Sequence, residues 1–201
     1  MRKMIITGVT SGIGKALVAK YDGNYIAKYK DLIEVEGHSR KYNKHDIDNI
    51  KEWFNPEADI FINNAYNDYK WWAQTQALLF VFHLWKDDPN KHIVSVSSIA
   101  SEKDTDDYPI GHSRYTAGKI SLDKINLECY EKTAKHNGCK ISLLRPGWVE
   151  TPRTTRLATL VNRLYDHDLN PNMLSPEQCV ECIDHMINFS GRVREMTIEA
   201  E

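Results

Sequence analysis

Hydrophobic positions along this chain fall into short apolar runs separated by longer segments in which apolar residues recur every three or four positions. That alternation predicts strands and helices in turn. The first run, Lys3 to Thr7, leads into a helix from about Ile13 to Tyr21, which the turn residues Asp22-Gly23-Asn24 stop. Leu32 to Glu36 reads as a second strand ending at Gly37, and Lys41 to Asn43 as a brief third. Asp46 to Phe54 predicts a short amphipathic helix with Ile47, Ile50 and Phe54 on one face, ended by Asn55-Pro56. Asp59 to Ile62 is a buried strand running into Asn63-Asn64-Ala65. A helix from about Trp71 to Lys86, apolar on most sides, precedes the strand His92 to Val96. The long helix from about Arg114 to His136 stops at Gly138. Lys140 to Leu144 is the next strand, and Arg153 to Met173 mixes one helical stretch with turn residues. Ser175-Pro176-Glu177 opens a last helix, with serine at the cap and proline at the first position, running to about Phe189. Glu195 to Glu199 makes the final strand. Strands and helices alternate throughout, which implies an α/β fold, a doubly wound parallel sheet covered on both faces, in a single domain spanning residues 1–201.

Composition narrows the function classes. The 201 residues are 41% hydrophobic and 27% charged, enough for one well-cored domain. The net charge of −2 gives no reason to expect nucleic acid or an anionic membrane as a partner. Met1 runs almost directly into the first strand and no apolar run matches a bilayer, so the expectation is a cytoplasmic protein without a membrane partner. Cys129, Cys139, Cys179 and Cys182 include one C-x-x-C on a predicted helix, with no second pair or histidine to complete a metal site. Four reduced thiols and no metal are therefore expected.

Two motifs carry chemistry. Between the first strand and first helix stands Thr7-Gly8-Val9-Thr10-Ser11-Gly12-Ile13-Gly14. Glycines there allow positive φ and close approach to the backbone, and the helix start, with unpaired N–H groups and a partial positive charge, attracts phosphate. Further on, Tyr115-Thr116-Ala117-Gly118-Lys119 places a phenol and an ammonium on one face of the long helix. A free phenol titrates near pH ~10, and a fixed cation beside it favours the phenolate, so the pair reads as a proton-transfer unit, although the same spacing is also common on solvated helices. Asn63-Asn64-Ala65, Ser97-Ser98 and Pro146-Gly147 each follow a predicted strand, and ligands of open α/β sheets sit beyond such strand ends.

Taken in order, Thr7-Gly8-x-x-x-Gly12-Ile13-Gly14, Asn63-Asn64-Ala65, Ser97-Ser98, Tyr115-x-x-x-Lys119 and Arg145-Pro146-Gly147-x-Val149-x-Thr151 resemble the short-chain dehydrogenases/reductases, over nearly the whole chain. The resemblance implies a Rossmann-type fold and hydride transfer between NAD(P) and a small carbonyl or alcohol. It gives Tyr115 the role of acid/base and Lys119 that of ribose-binding, pKa-lowering lysine. Ser98 becomes the hydroxyl on the substrate oxygen, with Ser97 as fallback. Gly8, Thr10, Ser11, Gly12, Ile13 and Gly14 fall on the pyrophosphate turn, Asn64 and Ala65 beside the adenosine half, and Pro146, Gly147, Val149 and Thr151 near the nicotinamide. Asp46 and Ile47 match the pair beside the adenine, although Asp46 reads equally well as a helix cap. The resemblance also implies a homodimer or homotetramer, pairing through the helices near Trp71–Lys86 and Arg114–His136.

Cofactor choice turns on the end of the second strand, where a carboxylate suits the NAD ribose and an arginine the NADP 2′-phosphate. Ser39 and Arg40 suit a phosphate and favour NADP over NAD; Glu36 argues the other way.

Some residues depart from the family pattern. Tyr66 stands where the family has glycine, the segment after Ala65 is short by about one helix, and the family's active-site asparagine has only Asn67 as a nearby candidate. Trp71 and Trp72 read either as core or as pocket lining. The loop bearing Asp104, Asp106 and Asp107 reads as solvated rather than as a metal site. A lid is implied over residues 152–174, where Arg153, Arg156, Arg163 and His167 are exposed charges or, alternatively, contacts to an anionic substrate. Two rival readings use the same motifs: a non-catalytic redox sensor or scaffold that binds the dinucleotide, and an epimerase or dehydratase, whose usual carriers have a larger substrate domain.

Overall fold

Six parallel strands form one sheet in the order β2-β1-β3-β4-β5-β6. The computed structural model describes residues 2–21, 33–38, 46–67, 69–102, 113–165 and 171–201. The strands are β1 (Arg2–Thr7), β2 (Ile33–His38), β3 (Ile60–Asn63), β4 (His92–Val96), β5 (Lys140–Pro146) and β6 (Glu195–Ile198). Among the described residues the α-helices are α1 (Gly12–Tyr21), α2 (Ile50–Trp53), α3 (Ala73–Trp85), α4 (Ser113–Lys135), α5 (Pro152–Tyr165) and α6 (Pro176–Asn188). A 3₁₀ turn, Ile47–Asn49, leads into α2, and another, Ile99–Ser101, follows β4. This is the Rossmann-type architecture that the alternating pattern predicts. The proposed third strand at Lys41 to Asn43 lies outside the described residues.

Successive strand residues point to opposite faces and build two cores. Met4, Ile6, Ile60, Ile62, Val94 and Leu144 meet Leu17 and Ile183 on one side. Ile5, Phe61, Ile93 and Ile141 meet Leu78, Val81 and Leu122 on the other. Helices α1 and α6 cover the first face, α3 and α4 the second. The chain passes from β1 to β2 on one side and then returns to β3 on the other. The carboxyl ends of β1 and β3 therefore flank a crevice at the point where the strand order reverses.

At the opposite end of the sheet, His92 opens β4 and is 2% exposed. Ser142 Oγ donates to the Val193 carbonyl at 2.6 Å, so it must accept from His92 Nε2, 2.9 Å away. Nε2 therefore carries a proton. Burial, reinforced by Lys140, Arg2 and Arg192, pushes the ring's pKa down to about 3. An unfolded histidine protonates near pH ~6.5, so this group's contribution is complete above that pH and is lost as the pH falls towards 3. The loss amounts to roughly 3 kcal/mol by pH 4. Urea unfolding at pH 7 and pH 4 should show that much less acid sensitivity in His92→Gln than in the native protein. An equal acid-induced loss in both would contradict the account.

Candidate active site

The turn after β1 is tied to the loop after β3. Thr7 Oγ1 donates to the Ile62 carbonyl (3.2 Å) and accepts from the N–H groups of Asn64 (3.0 Å) and Ala65 (2.9 Å). Asn64 Nδ2 donates back to the Thr7 carbonyl at 2.9 Å. The turn itself needs left-handed backbone, φ +76° at Gly8 and +54° at Gly12. A Cβ on Gly14 would stand 2.3 Å from the Gly8 carbonyl oxygen, and one on Gly12 would stand 2.8 Å from Thr151 Cγ2. Any side chain would fill this cradle. The first N–H groups of α1 have no partner within the helix, and Thr10 and Ser11 are exposed beside them. The cradle fits the pyrophosphate of a dinucleotide.

Tyr115 and Lys119 sit one turn apart on α4. Gly118 between them lets the preceding loop pass close: a Cβ there would lie 2.8 Å from the Trp71 carbonyl oxygen. Lys119 is 3% exposed, and its Nζ donates to Gln74 Oε1 (2.9 Å) and the Val96 carbonyl (2.8 Å). Burial lowers its pKa to about 7; Asp123 opposes the shift and Arg153 adds to it. Tyr66 forms a wall of this crevice. Its ring meets that of Tyr115 edge-on, with centroids 5.0 Å apart. Lys119 Nζ lies 5.6 Å from the Tyr66 ring centre and 5.5 Å from that of Tyr115. Arg153, from the first turn of α5, approaches the same rings, its Cζ 4.8 Å and 5.4 Å away. Lys119 and Arg153 therefore both approach the Tyr115 ring, and Arg153, though exposed, is directed at the crevice.

Ser98 caps the 3₁₀ turn after β4, its hydroxyl accepting from the Ala100 N–H at 3.2 Å. Ser97 is otherwise engaged: its hydroxyl donates to Asp123 Oδ1. The other oxygen of Asp123 accepts from Ser101 Oγ and Arg145 Nε, both at 2.6 Å.

The remaining expected residues fall into three groups. Thr151 Oγ1 accepts from the Thr154 N–H (3.2 Å) at the start of α5, beside Gly12. Val149 is buried and bridges to Leu174, while Pro146 and Gly147 carry β5 along β6. Asp46 is a helix cap: Oδ1 accepts from the Ile47 N–H, and Asn49 completes the reciprocal pair; Ile47 lies in the core. Glu36 Oε1 lies 3.0 Å from Nε2 of His38, whose ring stacks on Trp53. Ser39 and Arg40 lie outside the described residues, as do Asp104, Asp106, Asp107 and His167. Asn67, the nearby candidate for the family's asparagine, accepts at Oδ1 from the N–H groups of Tyr69 and Lys70 and so bends the loop. Trp71 and Trp72 pack edge-on against each other, with Trp72 exposed. Arg156 and Arg163 are exposed.

Gln74 and Asp123 hold this site together with Thr7, which opens the glycine motif, and those two were not visible as site residues in the sequence. Among the described residues no cluster of histidine, cysteine and carboxylates could hold a metal, and the four cysteines are unpaired.

No protein-family model matches the chain, and no curated protein matches it in sequence. Solved structures do resemble it. The 3-alpha-hydroxysteroid dehydrogenase from Pseudomonas sp. B-0831, complexed with NADH, is 15% identical with a TM-score of 0.69, over 97% of this chain and 95% of the other. The 3-ketoacyl-(acyl-carrier-protein) reductase from Brucella melitensis, complexed with NADH, is 14% identical with a TM-score of 0.68, over 98% and 96%. An oxidoreductase of the short chain dehydrogenase/reductase family from Burkholderia thailandensis is 16% identical with a TM-score of 0.65, over 98% and 91%. At these identities the likeness is one of fold: the chain has the Rossmann-type fold seen in short-chain dehydrogenases/reductases, as its motifs implied.

Proposed function

We propose that the chain is a short-chain dehydrogenase/reductase, a single NAD(P)-binding domain with its lid near residues 152–174. It transfers hydride between a nicotinamide cofactor, NADP in preference to NAD, and a small carbonyl or alcohol. The observation that carries this reading is the meeting of Tyr115 and Lys119 in one crevice, at the same carboxyl end of the sheet as a glycine cradle shaped for a diphosphate. Gly8, Thr10, Ser11, Gly12, Ile13 and Gly14 hold the pyrophosphate. Asn64, Ala65, Asp46 and Ile47 lie toward the adenosine, and Pro146, Gly147, Val149 and Thr151 toward the nicotinamide. Ser39 and Arg40 receive the 2′-phosphate. When bound, the reduced nicotinamide supplies a hydride. Tyr115 gives its phenolic proton to the carbonyl oxygen, Ser98 donates a hydrogen bond to the same oxygen, and Lys119 stabilises the phenolate left behind. The protein acts in the cytoplasm, where four unpaired thiols persist. It pairs as a homodimer or homotetramer through α3 and α4, on which Leu84 and Leu127 are exposed.

One observation favours the rival reading of a binding module without turnover: the Tyr66 ring stands against the Tyr115 ring. Fluorescence titration with NADPH and NADH, followed by a panel of carbonyl substrates watched at the nicotinamide absorbance, separates the two. The expected result is tighter binding of NADPH and turnover of part of the panel. Binding without turnover would favour the module, and negligible binding of both cofactors would overturn the assignment.

A further inference from the structure

We propose that Gln74 is a positioning residue of this site: its side-chain amide fixes Lys119 Nζ at the back of the crevice with a neutral acceptor. The inference rests on the reading above only for what Lys119 is needed for; the contact itself stands on the geometry.

Gln74 is 3% exposed, in the first turn of α3. Its Nε2 donates to two backbone carbonyls, Asn63 (2.6 Å) and Val96 (2.9 Å). Those two acceptors dictate the orientation of the amide, so Oε1 must face Lys119. Asn63 Nδ2 returns a bond to the Gln74 carbonyl at 2.9 Å. The amide is thus clamped to the ends of β3 and β4 before it meets the lysine. An ammonium has three hydrogens. Gln74 Oε1 takes one and the Val96 carbonyl another, leaving the third for the crevice, where the rings of Tyr66 and Tyr115 stand at nearly equal distances.

Neither partner carries charge. The titratable and charged groups about Lys119, among the described residues, are Tyr115 and Asp123 on its own helix, Tyr66 from the loop after β3, and Arg153 from α5. Asp123 is already bound to Ser97, Ser101 and Arg145. Burial is therefore left largely uncompensated, which agrees with a Lys119 pKa near neutrality. A carboxylate in the place of Gln74 would set a negative charge beside the ammonium and favour its charged form, while giving up the two bonds that Nε2 donates to the Asn63 and Val96 carbonyls. An amide also takes up no proton, so the face of Lys119 toward Gln74 carries none onward.

The test reads Lys119 directly in the protein without cofactor. Lysine side-chain carbon resonances are followed by NMR across the pH range, with Lys119→Met identifying the signal. The native midpoint is expected near neutrality. Gln74→Glu should raise it by about one to three pH units, the effect of an adjacent opposite charge. Gln74→Met, close in size and without the acceptor, should lower it. An unchanged midpoint in Gln74→Met, with native circular dichroism, overturns the proposal. Because no turnover is involved, this failure is distinct from failure of the oxidoreductase reading, which the cofactor titration reports.

Discussion

Tyr115→Phe is expected to lower kcat for carbonyl reduction by about 10²- to 10⁴-fold, the usual worth of a positioned general acid. That is about 3–5 kcal/mol on the barrier. The substitution removes one hydroxyl and keeps the ring. The edge-on contact with Tyr66 and the approach of Lys119 and Arg153 to the ring face depend on that ring, and phenylalanine retains them. Lys119 stays fastened to Gln74 and Val96. Stability and NADPH affinity should therefore change little, and the loss should fall on the chemical step. Steady-state kinetics beside a cofactor titration on the same preparation checks this. A variant with near-native kcat would mean that another group delivers the proton. A variant that lost NADPH binding in parallel would place the phenol in binding instead.

What the sequence disclosed of this site, and what it concealed, follows from the range of the interactions. The sheet was legible because each strand is a local run of apolar residues and each covering helix a local periodicity. Strand and helix limits fell within about two residues of those observed, the usual fraying of such boundaries. The glycine turn was legible for a similar reason, since its backbone demands are met within eight residues. Tyr115 and Lys119 share a helix face by spacing alone. Thr7 was legible as the first residue of the glycine motif but its role was not: a threonine closing a strand is ordinary, and the tie arises only when the loop after β3 arrives 57 residues later in the chain. Gln74 stood in an apolar helix with its partner 45 residues away. No local pattern separates such an amide from one facing solvent. Asn67 drew attention as the nearest polar residue in a loop, but short amides in loops more often turn their own backbone. Gly118 looked incidental within Tyr-x-x-x-Lys, and only the passage of the Trp71 carbonyl beside it explains why no side chain fits there.

Gly14→Ala is expected to cost the protein both stability and cofactor. A Cβ at this position would stand 2.3 Å from the Gly8 carbonyl oxygen and 2.8 Å from Asn64 Nδ2. The first neighbour is backbone, held because the Gly8 N–H donates to the His38 carbonyl at 2.8 Å. The second is the amide that ties the loop after β3 to Thr7. Neither can swing aside as the end of a long side chain would. Either α1 moves away from the sheet or the tie between Asn64 and Thr7 opens, and both widen the cradle. Overpacking of this kind costs about 1–3 kcal/mol. If the displaced N–H groups are those that grip a diphosphate, a similar amount is lost from binding, or roughly 10- to 100-fold in Kd. Thermal unfolding gives the first quantity and NADPH titration well below the melting temperature gives the second. A destabilised variant that bound NADPH with native affinity would show that the diphosphate does not rest on this turn, and the cofactor assignment would fail at its anchor.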